Sequence, residues 1–168
     1  MTTVATTNPQ EAKQVSNPQD AKLIDASENP QDVRLASGAA RPWPEYNGRR
    51  VQLRDHLEIY LILNGYVRHV PDWETYQRLF KEDAPIDPIQ PYVLDSISKG
   101  PALTSRTMLI RGDEVNKTYL LVDKVKMWIP NPTVFEQYHF DMAQCCVLPQ
   151  FVVDFITTAP DNVEGPHR

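Results

Sequence analysis

Tyr60 and His69, and 59 residues further on Tyr119 and Trp128, form two matched pairs of rings that could hold a ligand by stacking. Aromatic faces give broad contact with few rotatable bonds, so such pairs suit sugar rings or the apolar side chains of a protein partner. The same pairs also suit a plainer role, a second packed face beneath helices, because a small sheet must be covered somewhere. Asp95 and Asp154 recur at the same interval. Acid–base work or metal binding would need them close together with a shifted pKa or further ligands, and helix-surface carboxylates are the simpler reading. Cys145 and Cys146 lie near His139 and Asp141, the residue types of a thiol nucleophile and its base. Adjacency in sequence supplies neither proximity in space nor a stabilised thiolate. The histidines His56, His69, His139 and His167 show no metal-ligand spacing. Phosphate loops, dinucleotide fingerprints and nucleophile elbows are absent. The expectation is therefore no catalytic residue, no cofactor, no metal and no enzyme, with Tyr60, His69, Tyr119 and Trp128 as the candidate contacts to a partner.

Two short motifs carry less. Arg111-Gly112-Asp113 spells an integrin-type tripeptide, but it stands where turn chemistry explains it. Asn116-Lys117-Thr118 is a glycosylation acceptor only on a secretory route.

The elements that must position the rings are written twice, in a register of 59 residues. Tyr60, Leu61, Pro71, Ala84, Asp95, Ile97 and Pro101 recur as Tyr119, Leu120, Pro130, Ala143, Asp154, Ile156 and Pro160. In the first unit Asn64-Gly65 predicts a two-residue hairpin turn, and Asp123-Lys124 occupies the same place in the second. A two-residue turn sets Leu63 opposite Tyr66 and Tyr60 opposite His69, then Val122 opposite Val125 and Tyr119 opposite Trp128. Alternation assigns Leu61, Leu63, Tyr66 and Val70, with Leu120, Val122, Val125, Met127 and Ile129, to the core face. Arg50–Arg54 and Met108–Arg111 predict a third strand for each hairpin. Pro71 and Pro130 stop the strands, and Asp72 and Asn131 cap helices whose Trp73, Tyr76 and Phe80, or Phe135 and Tyr138, pack on the sheet. Second short helices begin at Pro91 and Pro149. The expectation is an α+β fold of two tandem units, 49–106 and 107–164. Each is a three-stranded antiparallel sheet followed by two short helices, and together they make one compact domain over 43–168.

The segments Met108-Leu109-Ile110-Arg111-Gly112-Asp113, Tyr119-Leu120-Leu121-Val122 and Val125-Lys126-Met127-Trp128-Ile129-Pro130-Asn131-Pro132 resemble a bacterial tandem repeat of the type "LxRGSG…VYLIxNGxKRxIPNPxTF". Leu94-Asp95-Ser96-Ile97-Ser98-Lys99-Gly100-Pro101 is similar to its closing "VLDAIPxGPP". The resemblance covers residues 49–164 and implies a repeat module, found in arrays and often at cell surfaces, with no established catalytic residues.

Residues 1–42 contain no Phe, Tyr or Trp and repeat Asn-Pro-Gln plus an acidic residue from Asn8, Asn17 and Asn29, the composition of a flexible tail. The net charge of −5 argues against nucleic acid as a partner, because phosphate neutralisation requires a concentrated cationic face. Neither a membrane span nor a secretory signal is read. Duplicated surfaces suit avidity or stacking, so two functional expectations stand: a module binding a protein or glycan, and a structural subunit whose tail docks on a neighbour, including a homo-oligomer.

Overall fold

Asn64 and Gly65 both take positive φ, 52 and 77, which turns the chain through the two-residue hairpin that their types favour. At the second hairpin Asp123 alone of the turn pair enters that region, at φ 57. The computed structural model describes residues 40–167 and has two mixed sheets and four helices, an α+β arrangement. All but Ala40–Pro42 of the expected tail lies outside the described residues.

In the first sheet, β1 (Arg50–Leu53), β2 (Ile59–Leu63) and β3 (Tyr66–Val70) form an antiparallel meander. The β2–β3 register pairs Leu63 with Tyr66 and Tyr60 with His69. After helix α1 (Trp73–Leu79), β4 (Ile86–Ile89) returns parallel to β1, giving the order β3-β2-β1-β4, and α2 (Pro91–Ser96) follows. The second sheet contains β5 (Met108–Gly112), β6 (Thr118–Val122) and β7 (Val125–Trp128), then helix α3 (Pro132–Gln137). Next come β8 (Cys146–Leu148), parallel to β5, helix α4 (Gln150–Phe155), and β9 (Thr157–Thr158), parallel to β7. The sheets thus have four and five strands instead of three. Pro88 conceals β4 in the sequence because proline cannot donate to a ladder, and it is tolerated because β4 is an edge strand. β8 and β9 are too short to announce themselves.

Helix starts follow the expected capping. The Thr75 N–H donates to Asp72 Oδ1 at 2.6 Å, and the Val134 N–H donates to Asn131 Oδ1 at 2.9 Å. One apolar cluster draws on both halves of the chain, with Leu61, Leu63, Leu79 and Phe80 beside Leu109, Leu120, Phe135 and Phe140. A second layer covers the other face of the first sheet, where Trp43, Val51, Ile62 and Val67 meet Val93 and Leu94 of α2. Three placements differ from expectation. Tyr66 and Trp73 are exposed, at 38% and 56%, and Val125 is only half-buried. Tyr66 and Val125 follow the turns, where their partners Leu63 and Val122 take the buried places, and Trp73 stacks flat on Tyr76 at 4.7 Å instead of on the sheet.

Arg50, on β1, is 2% exposed yet has no carboxylate bonded to it. Its Nε donates to the Pro85 carbonyl at 3.1 Å, Nη1 donates to the carbonyls of Gly48 and Tyr138 at 2.6 and 2.7 Å, and Nη2 lies 3.3 Å from His139 Nδ1. Burial pushes the guanidinium below its ordinary value, opposed by the nearby Asp87 carboxylate and Tyr76 hydroxyl. The matched position in the second sheet is Leu109, which is fully buried. Arg50→Leu should therefore fit the strand but orphan the buried carbonyls of Gly48 and Tyr138, lowering stability by about 3 kcal/mol. Urea unfolding measures this, and a loss below about 1 kcal/mol would show that the carbonyls find water instead.

Candidate functional site

Each hairpin ends against a proline, and the chain then turns at once into a capped helix. That sequence of events leaves a cleft at the same place in both halves. The first, about 560 Å³, lies between the lead-in to β2, the end of β3 and the start of α1, and is lined by Asp55–Ile59 and His69–Trp73. The second, about 470 Å³, lies between the lead-in to β6, the end of β7 and α3, and is lined by Asn116–Thr118, Trp128–Pro132, Phe135, Glu136 and Met142. Leu57 to Ile59 in one stand where Asn116 to Thr118 stand in the other, and His69 to Trp73 where Trp128 to Pro132 stand.

The ring-bearing strand ends are held by equivalent bonds. The Leu103 N–H donates to the His69 carbonyl at 2.9 Å, and the Val163 N–H donates to the Trp128 carbonyl at 2.9 Å. Pro71 and Pro130 bring no N–H of their own, so the strand cannot continue and the cleft floor stays open. Behind the second cleft, Val163 is fully buried and Asn64 clasps the C-terminal segment, donating to the Asn162 carbonyl at 2.7 Å and accepting from the Glu164 N–H at 2.9 Å.

The four sequence-predicted ring residues divide. His69 and Trp128 line the clefts, whereas Tyr60 and Tyr119 lie one strand inward and are not lining residues. Tyr60 and His69 keep each other's company at 5.5 Å with a 59° tilt, and Tyr60 packs against the outer apolar layer of the first sheet. Tyr119 and Trp128 are register partners, and each ring carries an ammonium, Lys126 Nζ at 5.3 Å from Tyr119 and Lys117 Nζ at 5.3 Å from Trp128. Burial raises both phenols above their ordinary value, helped by Glu58 at Tyr60 and Asp154 at Tyr119. They remain neutral hydrogen-bonding groups.

The clefts differ in charge. Asp55, Glu58 and Asp72 make the first acidic, with His56 Nδ1 3.3 Å from Glu58 Oε2, while the second presents Lys117, Glu136 and the amides of Asn116 and Asn131. Leu57, 94% exposed, and Lys117 were not picked out by sequence reasoning. Leu57 had a signal, a lone apolar residue in the polar run Asp55-His56-Leu57-Glu58.

The other candidates stay apart. Asp95 is 4.0 Å from Lys99 on an exposed flank of α2, and Asp154 accepts from Gln150 Nε2 at 2.7 Å on α4, so each carboxylate is engaged locally. Cys145 is half-buried against the core, which pushes its thiol up, and Cys146 is exposed on β8; both are free. Among the described residues no cluster of three or more His, Cys, Asp or Glu could hold a metal ion, and no helix is long and apolar enough to cross a membrane.

Asp72 gives a direct pH test. The bond from the Thr75 N–H, the largest influence, holds its carboxyl below the usual 3.8. A depressed folded value means the unfolded chain takes up the proton first as pH falls. The stability due to ionised Asp72 is full above the ordinary carboxylate range and is lost as pH drops through the folded value. Asp72→Asn keeps an acceptor, as Asn131 does naturally, and removes that titration. The advantage of the wild-type chain over the variant should be constant above about pH 5 and shrink on further acidification. Urea midpoints across pH decide it, and an advantage that grows in acid would refute it. Comparison with family models, curated proteins and solved structures finds no match to this chain.

Proposed function

We propose that this chain is a non-catalytic interaction module made of two tandem copies of one unit, which grips a protein partner through its two matched clefts. The observation that carries this reading is the pairing of the clefts themselves, with His69 and Trp128 at the same strand position and Pro71-Asp72 and Pro130-Asn131 at the same helix entry. The resemblance of residues 49–164 to a bacterial tandem repeat supports the same view. Two sites on one body gain avidity for a partner that reaches both, without any new contact.

A protein suits the clefts better than a glycan. A repeating sugar would call for like walls, whereas one cleft here is acidic and the other offers a lysine, an indole and two amides. Different side chains along one polypeptide meet both. The indole with its adjacent ammonium supplies the anchor, because aromatic residues in partly enclosed pockets concentrate binding energy.

Affinity capture with the immobilised full chain, run beside His69→Ala, Trp128→Ala and the double variant and beside a glycan array, tests this. The expected result is one protein retained by the wild-type chain, weakened about tenfold by each single change and lost with both, while circular dichroism shows the fold intact. Retention by the double variant, or binding only on the glycan array, would overturn the proposal.

A further inference from the structure

The outer edge of the first sheet is occupied by the chain itself. The Arg41 N–H donates to the Ser96 carbonyl at 3.0 Å and the Ser98 N–H donates to the Arg41 carbonyl at 2.8 Å, so Arg41 forms a parallel rung beside Ile97. Two residues on, the Trp43 N–H donates to the Gly65 carbonyl at 2.8 Å, and the indole, 1% exposed, sinks into the layer with Val67, Leu94 and Ile97.

The backbone beneath that strap has a counterpart in the second sheet. The Gly100 N–H donates to the Val67 carbonyl at 2.9 Å, and the Ala159 N–H donates to the Lys126 carbonyl at 2.8 Å. Val67 bridges Lys99 in parallel, as Lys126 pairs with Thr158. Yet β9 is the outermost strand of its sheet and both its threonines are exposed. Phe155, at the place of Ser96, is 87% exposed where Ser96 is 5% exposed. Among the described residues nothing pairs with the outer side of β9 as Arg41 pairs with Ile97.

An edge strand beside an open apolar side chain is a template for an added strand. We propose that β9 and the flanking Phe155 accept an extended segment of another protein, parallel to β9, whose second residue after the paired one is aliphatic. The side chain is aliphatic instead of indole because Lys126, 5% exposed where the first sheet has Val67, already takes part of the space that Trp43 fills. Its ammonium donates to the Val153 carbonyl. The Arg41–Trp43 segment of a second copy is seated on its own first sheet and carries tryptophan at the second place, so that segment does not meet the requirement. The site is separate from both clefts.

The probe is a peptide of the sequence Ala-Arg-Pro-Leu-Pro-Glu-Tyr-Asn, residues 40–47 with leucine for tryptophan, titrated into the full isotope-labelled chain. Amide shifts should concentrate at Phe155, Thr157 and Thr158, with the Thr157 amide protected from exchange. Methylating the peptide nitrogen of its arginine should weaken binding about tenfold, as the loss of one backbone hydrogen bond predicts, and Phe155→Asp should weaken it similarly. His69→Ala with Trp128→Ala should leave it unchanged, which separates this site from the clefts. Absence of shifts at millimolar peptide overturns the proposal, as do shifts centred on Ile97 and Ser98, which mean displacement of the chain's own strap. Self-association abolished by Phe155→Asp overturns it as well, by making a second copy the occupant.

Discussion

A buried guanidinium without a carboxylate holds the two halves of this protein in register. Arg50 spends its donors on carbonyls from three separate segments, at Gly48, Pro85 and Tyr138, and only the last belongs to the second half. Tyr138 is the C-cap of α3, so the cation also meets the negative end of a short helix. Next to it His139 takes positive φ, 51, and its carbonyl accepts from the Lys81 N–H at 2.9 Å. The Asp141 N–H returns to the Leu79 carbonyl at 2.9 Å, and Phe80 and Phe140 stack at 5.7 Å between these bonds. Hydrophobic burial alone would allow the two sheets to slide over each other. The directional carbonyl contacts fix one arrangement, and the relative placement of the clefts follows from it.

The clefts themselves arise from devices that cost the sequence little. Proline ends a strand, an Asx residue caps the next helix, and the last strand residue before the proline is left with its side chain at a rim. The backbone outcome depends on those few types, which recur at Pro71-Asp72 and Pro130-Asn131. The wall residues are under no such constraint. Glu58 faces one rim and Lys117 the other, and His69 stands where Trp128 stands. The two clefts thus share a backbone scaffold and differ in their walls.

The hairpins and helix caps were legible because each depends on neighbours in sequence. The positive φ of Asn64 and Gly65 makes the turn locally, Asp72 and Asn131 cap amides three residues on, and the β2–β3 and β6–β7 registers fall where the turns put them. The parallel strands were not legible. β4 pairs with β1 across more than thirty residues, and its Pro88 argues locally against a strand. β8 and β9 are defined by what they lie beside and not by their own pattern. The burial of Arg50 and Lys126 was not legible either, since nothing local shows that carbonyls from distant segments will enclose them. For the candidate site, His69 and Trp128 were named for their rings and do line the clefts, but they were paired with Tyr60 and Tyr119, which lie one strand away. Cross-strand pairing is a statement about one sheet, and a cleft is made by what packs against it.

The outer faces of the two sheets show how one matched position redirects packing. At Val67 a small side chain leaves room for Trp43, and a buried indole removes on the order of 200 Å² from water. At Lys126 the buried ammonium must be satisfied, which the Val153 carbonyl and the face of Tyr119 accomplish. The exchange trades non-directional burial for a desolvated cation, and such a trade contributes less net stability. Ile62, Val93 and Ile97 are accordingly buried on the first sheet, while their counterparts Leu121, Val152 and Ile156 on the second are only half-buried; Leu94 and its counterpart Val153 are buried in both. Local opening needs less free energy where fewer apolar side chains are buried, which favours opening on the β9 side of the second sheet over the strapped side of the first. Residues that open easily are also the ones that can be remodelled on contact with another chain, whereas the strap of Arg41–Trp43 makes the corresponding side of the first sheet part of the framework.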